Sequence, residues 1–306
     1  MPLAFEEIQE FRTDVIDAFH DQALHSIAFP AQAGIFAKSY QIPAFTGKTD
    51  TGQIFMQEFL ALANDLADAA GEIARTHFRQ PFEVISKADE SPVTVADRGI
   101  EERIRTLIEK ARPEDGIYGE EFGIKESRNG LTWVIDPIDG TKSFVIGRPT
   151  FGTLIALCKD NVPVLGIIDQ PISRERWVGA DGKTTFNGKT VKTRPCPNLK
   201  SACVASTTPA MFSKTGPVYE QIEPKVKMMA WGGDCYMYGL LASGYMDACI
   251  EASLSPYDFC ALVPVVKGAG GIITDWNGKS LTIKSGGQVA ASGDPSLHLQ
   301  ILKFLK

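Results

Sequence analysis

The chain has 306 residues, 44% of them hydrophobic and 22% charged, the balance of an ordinary soluble globular protein with room for a sizeable core. Its formal net charge of −6 argues against a general nucleic-acid or anionic-membrane binder, since both need a positive surface. Six scattered cysteines without a CxxC pair argue against structural zinc or a dense disulfide framework, and predict mostly buried thiols in a reducing compartment.

The first fifty residues carry seven acidic and three basic side chains, with neither an Arg/Ser-rich leader nor an apolar signal core. No apolar run reaches membrane-spanning length, so the expected location is the cytosol, or a plastid were a leader to precede the chain. Ile8, Phe11, Val15, Phe19 and Leu24 recur at roughly helical spacing over residues 6–27, and a loose connector follows over 29–47. Residues 1–52 therefore predict a helical appendage and linker, a docking helix or oligomer arm outside the catalytic module. Residues 53–306 are the expected main domain, with subdomains at about 53–195 and 196–306.

Within that domain Phe59, Leu62, Leu66, Ala70 and Ile73 predict a long amphipathic helix, and Ile100, Ile104, Leu107 and Ile108 a second. Between them, residues 87–97 combine Pro92 with short β-branched alternation, which predicts a loop or hairpin entering the second helix with Asp97 near its start. Residues 151–157 and 164–168 read as strands joined by 159–163, and 176–178 continues the meander. Strands are expected at 202–205 and 247–251, a helix at 236–243, and a helix at 258–267 stopped by Gly268, Gly270 and Gly271. Strands at 272–274, 281–283 and 289–291 precede a final helix over 295–305.

The run from Leu131 to Thr141 is the most informative, because the apolar strand-like segment Leu131-Thr132-Trp133-Val134-Ile135 delivers Asp136 and Asp139 onto a turn. Pro137 fixes one backbone angle, and Gly140 permits the bend that gathers Asp136, the Ile138 carbonyl and Asp139 around one point. Hard oxygen ligands of this kind suit Mg²⁺ far better than Zn²⁺. Glu120 and Glu121, bounded by Gly119 and Gly123, repeat the pattern upstream, and Asp258 ends a strand-like run downstream. Taken singly, Asp97 and Asp258 read as helix caps and the glutamates as a solvated pair. Brought together, such acids repel unless a cation neutralises them.

The chemistry that follows is attack of a polarised water on a phosphoryl group, driven mainly by positioning and charge neutralisation. Thr141 would orient that water or cap a helix, and the Gly140 and Thr141 N–H groups would hold phosphate oxygens. None of the four histidines falls in these segments, and no Gly-x-Ser-x-Gly or Gly-rich nucleotide loop occurs, against histidine-base, serine-hydrolase and nucleotide-loop readings.

Through Gly119-Glu120-Glu121, Asp136-Pro137-Ile138-Asp139-Gly140-Thr141 and Tyr257-Asp258-Phe259-Cys260-Ala261, in this order, residues 54–306 resemble the inositol monophosphatase family of metal-dependent phosphatases. The resemblance implies an α+β fold, a layered αβαβα sandwich, usually a homodimer acting on a small phosphate monoester. It further implies a Mg²⁺ cluster of up to three ions per subunit that Li⁺ inhibits. By similarity, Glu120, Asp136 and the Ile138 carbonyl hold one ion, Asp136, Asp139 and Asp258 a second, and a third sits near Glu120. Asp97 and Thr141 would position the water, which attacks directly without a phosphoenzyme.

Lys142-Ser143-Phe144 departs from the inositol-type Thr-Asn-Phe, as does Tyr257 from the common Trp. Residues 141–179 and Gly233-Asp234-Cys235-Tyr236 are similar instead to the histidinol-phosphate phosphatase branch, particularly its plant-type members. That substrate carries an amine and an imidazole, so acids should line its end of the site. Asp234 and Glu251 align with substrate-contacting family positions and are the candidates; a helix cap and a structural glutamate are the alternatives. Inositol monophosphatase is the rival activity, a nucleotide 3′-phosphatase ranks lower, and a silent metal-binding scaffold is the reading from a different class.

Overall fold

Apolar residues at three- and four-residue steps make α1, Asp50–His77, a single long helix whose buried stripe runs through Phe59, Ala63, Leu66, Ala70 and Ala74. The computed structural model describes residues 50–80, 84–86 and 92–305; the helix expected at 6–27 and the connector at 29–47 lie outside these. α2, Val95–Ala111, buries Ile100, Ile104 and Ile108 by the same periodicity and packs against α1. Between the helices, β1 (Val84–Ser86) and β2 (Pro92–Thr94) pair antiparallel.

The next strands are β3 (Gly116–Gly119), β4 (Gly123–Lys125) and β5 (Leu131–Asp139), after which the short helix α3 spans Thr141–Val145. A meander follows of β6 (Gly152–Lys159), β7 (Val162–Gln170), β8 (Glu175–Ala180), β9 (Lys183–Phe186) and β10 (Lys189–Thr190). These eight strands form one sheet in the order β10-β9-β8-β7-β6-β5-β3-β4, antiparallel except where β3 runs parallel to β5. Alternation along each strand separates two cores. Trp133, Ile135, Ile155, Leu157, Leu165 and Ile167 face α1 and α2. Val134, Leu154, Ala156, Ile168 and Trp177 face the other way.

The second sheet is assembled from β11 (Cys203–Ser206), β12 (Met228–Trp231), β13 (Ala248–Glu251), β14 (Ile272–Thr274) and β15 (Val289–Ser292), ordered β12-β11-β13-β15-β14. Helices α4 (Val218–Ile222), α5 (Tyr236–Ala242), α6 (Pro256–Phe259), α7 (Leu262–Gly268) and α8 (Pro295–Leu302) complete the domain. α5 and α7 lie between the sheets, and α8 packs on the outer face of the smaller one against Val204, Ile250 and Ala290. The layers therefore run helix, sheet, helix, sheet, helix. α7 sits close on the larger sheet because Gly166 has no side chain: a Cβ there would stand 2.0 Å from the Ala261 carbonyl oxygen.

Three sequence expectations change. The helix expected over 258–267 is two, α6 and α7, and Pro264 is the reason: in one continuous helix its ring would remove an interior hydrogen bond, whereas it now sits in the first turn of α7. Residues 281–283 form no strand; Ile283 N–H instead donates to the Asn161 carbonyl on the β6–β7 turn at 3.0 Å. The connector expected over 159–163 shrinks to Asp160 and Asn161, both at positive φ (49° and 71°), which joins β6 and β7 by a tight hairpin.

Candidate active site

β5 ends in a bulge. Asp136 pairs with Leu154 and Asp139 with Gly152, so three steps on β5 match two on β6. Pro137 occupies the bulge, where its missing donor costs no ladder bond, and its carbonyl accepts the Thr153 hydroxyl at 2.8 Å. Gly140 follows at φ 84°, where a side chain is strained, and a Cβ there would meet the Asp234 carboxyl carbon at 2.7 Å. Thr141 opens α3 and donates its hydroxyl to the Ile138 carbonyl at 3.1 Å; the cap position belongs to Gly140, so the capping alternative for Thr141 is not what is found.

This local geometry delivers Asp136 and Asp139 to a point that Asp258 reaches from the first turn of α6. One carboxylate oxygen from each lies within 4.8 Å of the others. Asp258 also accepts the Ser255 N–H through Oδ2 at 2.6 Å, so one residue both ties down the start of α6 and faces Asp136. Asp139 Oδ2 accepts the Cys235 N–H, which anchors the start of α5 to the turn.

Glu120 stands on the β3–β4 turn and Asp97, 2% exposed, in the first turn of α2; the charge of each raises the Asp136 pKa. The glutamate turn is held by Glu101, fully buried, which accepts the Glu121 N–H at 2.7 Å and the Phe122 N–H at 3.1 Å. Arg105 pairs with Glu101 at 2.7 Å. Gly119 makes room for this contact, since a Cβ would stand 1.9 Å from Glu101 Oε1. Sequence reasoning passed over Glu101, although Asp97, Glu101 and Arg105 at four-residue spacing share one face of α2.

The electrostatics follow from burial. Asp136 and Asp139 are pushed well above the ordinary carboxylate range, first by desolvation and then by neighbouring acids. Asp258 is raised to about 6 and Glu251 to about 7, burial again leading. Among the described residues no lysine or arginine pairs with Asp136, Asp139 or Asp258. Asp136 Oδ1 is buried with no hydrogen-bond partner. An orphaned carboxylate oxygen among acids that repel one another fits a hard divalent cation, and the oxygen-only donor set favours Mg²⁺ over softer metals.

Asp234 and Glu251 flank this centre. Asp234, at φ 46°, precedes α5, whose cap position is Cys235, so Asp234 is not the helix cap; its Oδ2 accepts the Ser143 hydroxyl at 2.7 Å. Glu251 ends β13 with both oxygens engaged, Oε1 by the Thr207 hydroxyl at 2.6 Å and Oε2 by the Tyr238 hydroxyl at 2.9 Å. The charges of Asp234 and Glu251 both raise the Asp139 pKa, which puts them at the same end of the site.

A cavity of about 640 Å³ lies elsewhere, between α1 and the β7–β8 turn, and none of the residues above lines it. Arg176 there bonds Asp169 at 2.6 Å, Asp68 at 2.7 Å and Asn64 Oδ1 at 3.1 Å, so its charges are spent on one another. All six cysteines are free thiols, five of them buried, and no helix among the described residues is long and apolar enough to cross a membrane.

The five alternating layers, with a carboxylate cluster at a strand bulge, are the architecture of the layered α+β phosphatases. The chain belongs to the inositol monophosphatase family, whose model matches residues 56–305. It is 48% identical over 262 residues to the bifunctional phosphatase IMPL2, chloroplastic, of Arabidopsis thaliana, covering 82% of this chain and 76% of that one. It is 37% identical to a histidinol-phosphatase of Chlorobaculum parvum, covering 76% and 92%. A solved inositol monophosphatase from Zymomonas mobilis superposes with a TM-score of 0.75 at 49% identity, covering 81% of this chain and 98% of that one.

Proposed function

We propose that this phosphatase hydrolyses L-histidinol phosphate to L-histidinol and inorganic phosphate, a step of histidine biosynthesis. The observation that carries the reading is Asp234, a carboxylate packed over Gly140 at the edge of the acidic turn. A polyol hydroxyl can only hydrogen-bond to it, whereas an ammonium or imidazolium both hydrogen-bonds to it and pairs with its charge. The histidinol-phosphatase relatives support the choice.

Mg²⁺ is the proposed ion, up to three per subunit, with Li⁺ as inhibitor. Glu120, Asp136 and the Ile138 carbonyl would hold one, Asp136, Asp139 and Asp258 a second, and Glu120 would border a third. Bound there, Mg²⁺ supplies charge neutralisation and polarises water and phosphate. The chain supplies the placement. Because Thr141 gives its only hydroxyl proton to the Ile138 carbonyl, its oxygen is left as an acceptor that orients the attacking water, with Asp97 on the α2 side. The Gly140 and Thr141 N–H groups at the start of α3 are assigned the phosphate oxygens, and Asp234 and Glu251 the organic end. A homodimer completes the proposal, in the cytosol or a plastid, with residues 1–52 as an appendage to the phosphatase domain.

Inositol 1-phosphate is the second reading, favoured by the Zymomonas mobilis structure. Turnover of both substrates measured side by side with Mg²⁺ decides between them. A higher kcat/KM for histidinol phosphate is expected, and a clear preference for inositol 1-phosphate overturns the assignment. No turnover of either would leave the nucleotide 3′-phosphatase and the silent scaffold.

A further inference from the structure

We propose that Ser143, backed by Arg148, is a positioning residue for substrate specificity: it holds the Asp234 carboxylate in one orientation, so that its other oxygen meets the cationic end of the substrate. This rests on the histidinol-phosphate reading above.

Ser143 is 1% exposed, and its hydroxyl sits at the meeting point of three groups. It donates to Asp234 Oδ2 at 2.7 Å and receives Arg148 Nη2 at 2.8 Å, Arg148 Nε at 3.3 Å and the Thr150 hydroxyl at 3.4 Å. A guanidinium only donates, so Ser143 cannot give its proton to Arg148 and accepts from it instead, which leaves the one hydroxyl proton for Asp234. The polarity of the chain, from cation through hydroxyl to carboxylate, is thereby set by valence.

Arg148 is itself held: its backbone N–H donates to the Ser143 carbonyl at 2.8 Å, and its guanidinium lies over Gly232, where a Cβ would be 2.9 Å from Nη1. Asp234 is clamped from below by the neighbouring Cys235 N–H on Asp139 and by contact with Gly140. Its other oxygen, Oδ1, accepts no hydrogen bond among the described residues. One carboxylate oxygen is thus spent on orientation and one is left over, at a fixed offset from the turn that carries Asp139. An Asp234 without Ser143 would lose the restraint that aims it.

The test compares histidinol phosphate with glycerol 2-phosphate, whose organic part is neutral, in wild type, Asp234→Asn, Ser143→Ala and Arg148→Met. Ser143→Ala is expected to lower the preference for histidinol phosphate about tenfold, mainly through its KM, and Arg148→Met about threefold. Ser143→Ala combined with Asp234→Asn should cost no more than Asp234→Asn alone. Should Ser143→Ala fail to fold, the more exposed Arg148→Met carries the comparison. Equal losses on both substrates, or an unchanged preference in both variants, overturn the positioning role while leaving the histidinol-phosphate reading intact. A wild-type enzyme without the preference overturns that reading itself.

Discussion

Two ends of the larger sheet bury carboxylates, and they solve the cost differently. On the α1 side, Asp169 at the end of β7 meets Arg176 at 2.6 Å, with Asp68 and Asn64 completing the guanidinium's partners. Burial raises the Asp169 pKa while the guanidinium works against the shift, and the group ends as one half of an ion pair. At the end of β5, Asp136, Asp139 and Asp258 converge with no such cation from the chain among the described residues, and Glu120, Asp139, Asp258 and Asp97 each raise the Asp136 pKa further. Burying like charges is tolerable only when something else supplies the counter-charge. The first arrangement is complete without a ligand, and the second is not.

Removing a charge from each end separates the two most sharply. Asp139→Asn should lower kcat about a thousandfold or more while the protein keeps its fold, and thermal melts should show a smaller stabilisation by Mg²⁺. Near-normal turnover would sink the mechanism. The next effect belongs to pH in the metal-free protein. Asp258 and Glu251 are raised from ordinary values of 3.8 and 4.5 to about 6 and about 7, so the folded chain binds their protons more tightly than the unfolded chain does. Their stabilising contribution is full below about pH 4 and is lost as pH rises through about 6 to 7, up to about 3 kcal/mol for Asp258 alone. Melts in EDTA from pH 4 to 8 should show this decline, and a flatter one in Asp258→Asn. Mg²⁺, which binds the deprotonated carboxylates, should oppose it. An identical slope in Asp258→Asn would show that Asp258 is not a source of the decline.

At the paired end, Arg176→Ala should cost about 2 kcal/mol, because it strands the buried Asp169, and should leave the Mg²⁺ dependence of activity unaltered. A shifted metal requirement would break the contrast between the two ends. The smallest expected effect is that of Glu101→Gln. An amide in place of the carboxylate loses the charge that receives the Glu121 and Phe122 N–H groups, loosens the Glu120 turn, and should raise the Mg²⁺ concentration for half-maximal activity about tenfold. If Mg²⁺ titrations of the two proteins coincide, Glu101 does no more than hold the fold.

The sequence by itself determined the local features. Periodicity at 3.6 residues wrote α1 and α2, which bury one stripe each, and short apolar runs wrote β5 to β7, whose two faces are buried against different cores. Asp136, Pro137, Asp139, Gly140 and Thr141 lie within six consecutive positions, so chain stereochemistry alone brings them onto one turn. β4, β9, β10 and β12 were not legible, being short strands that owe their conformation to a neighbouring strand's hydrogen bonds. Only the tertiary structure decided that Ser143 bonds Asp234 across 91 positions, that Cys235 N–H reaches Asp139 across 96, and that Glu101 rather than solvent fixes the glutamate turn. Such contacts depend on how α2, α5 and α6 are seated against the sheets. That seating is set by close packing between distant elements, as where Gly166 meets Ala261, and no local pattern encodes it.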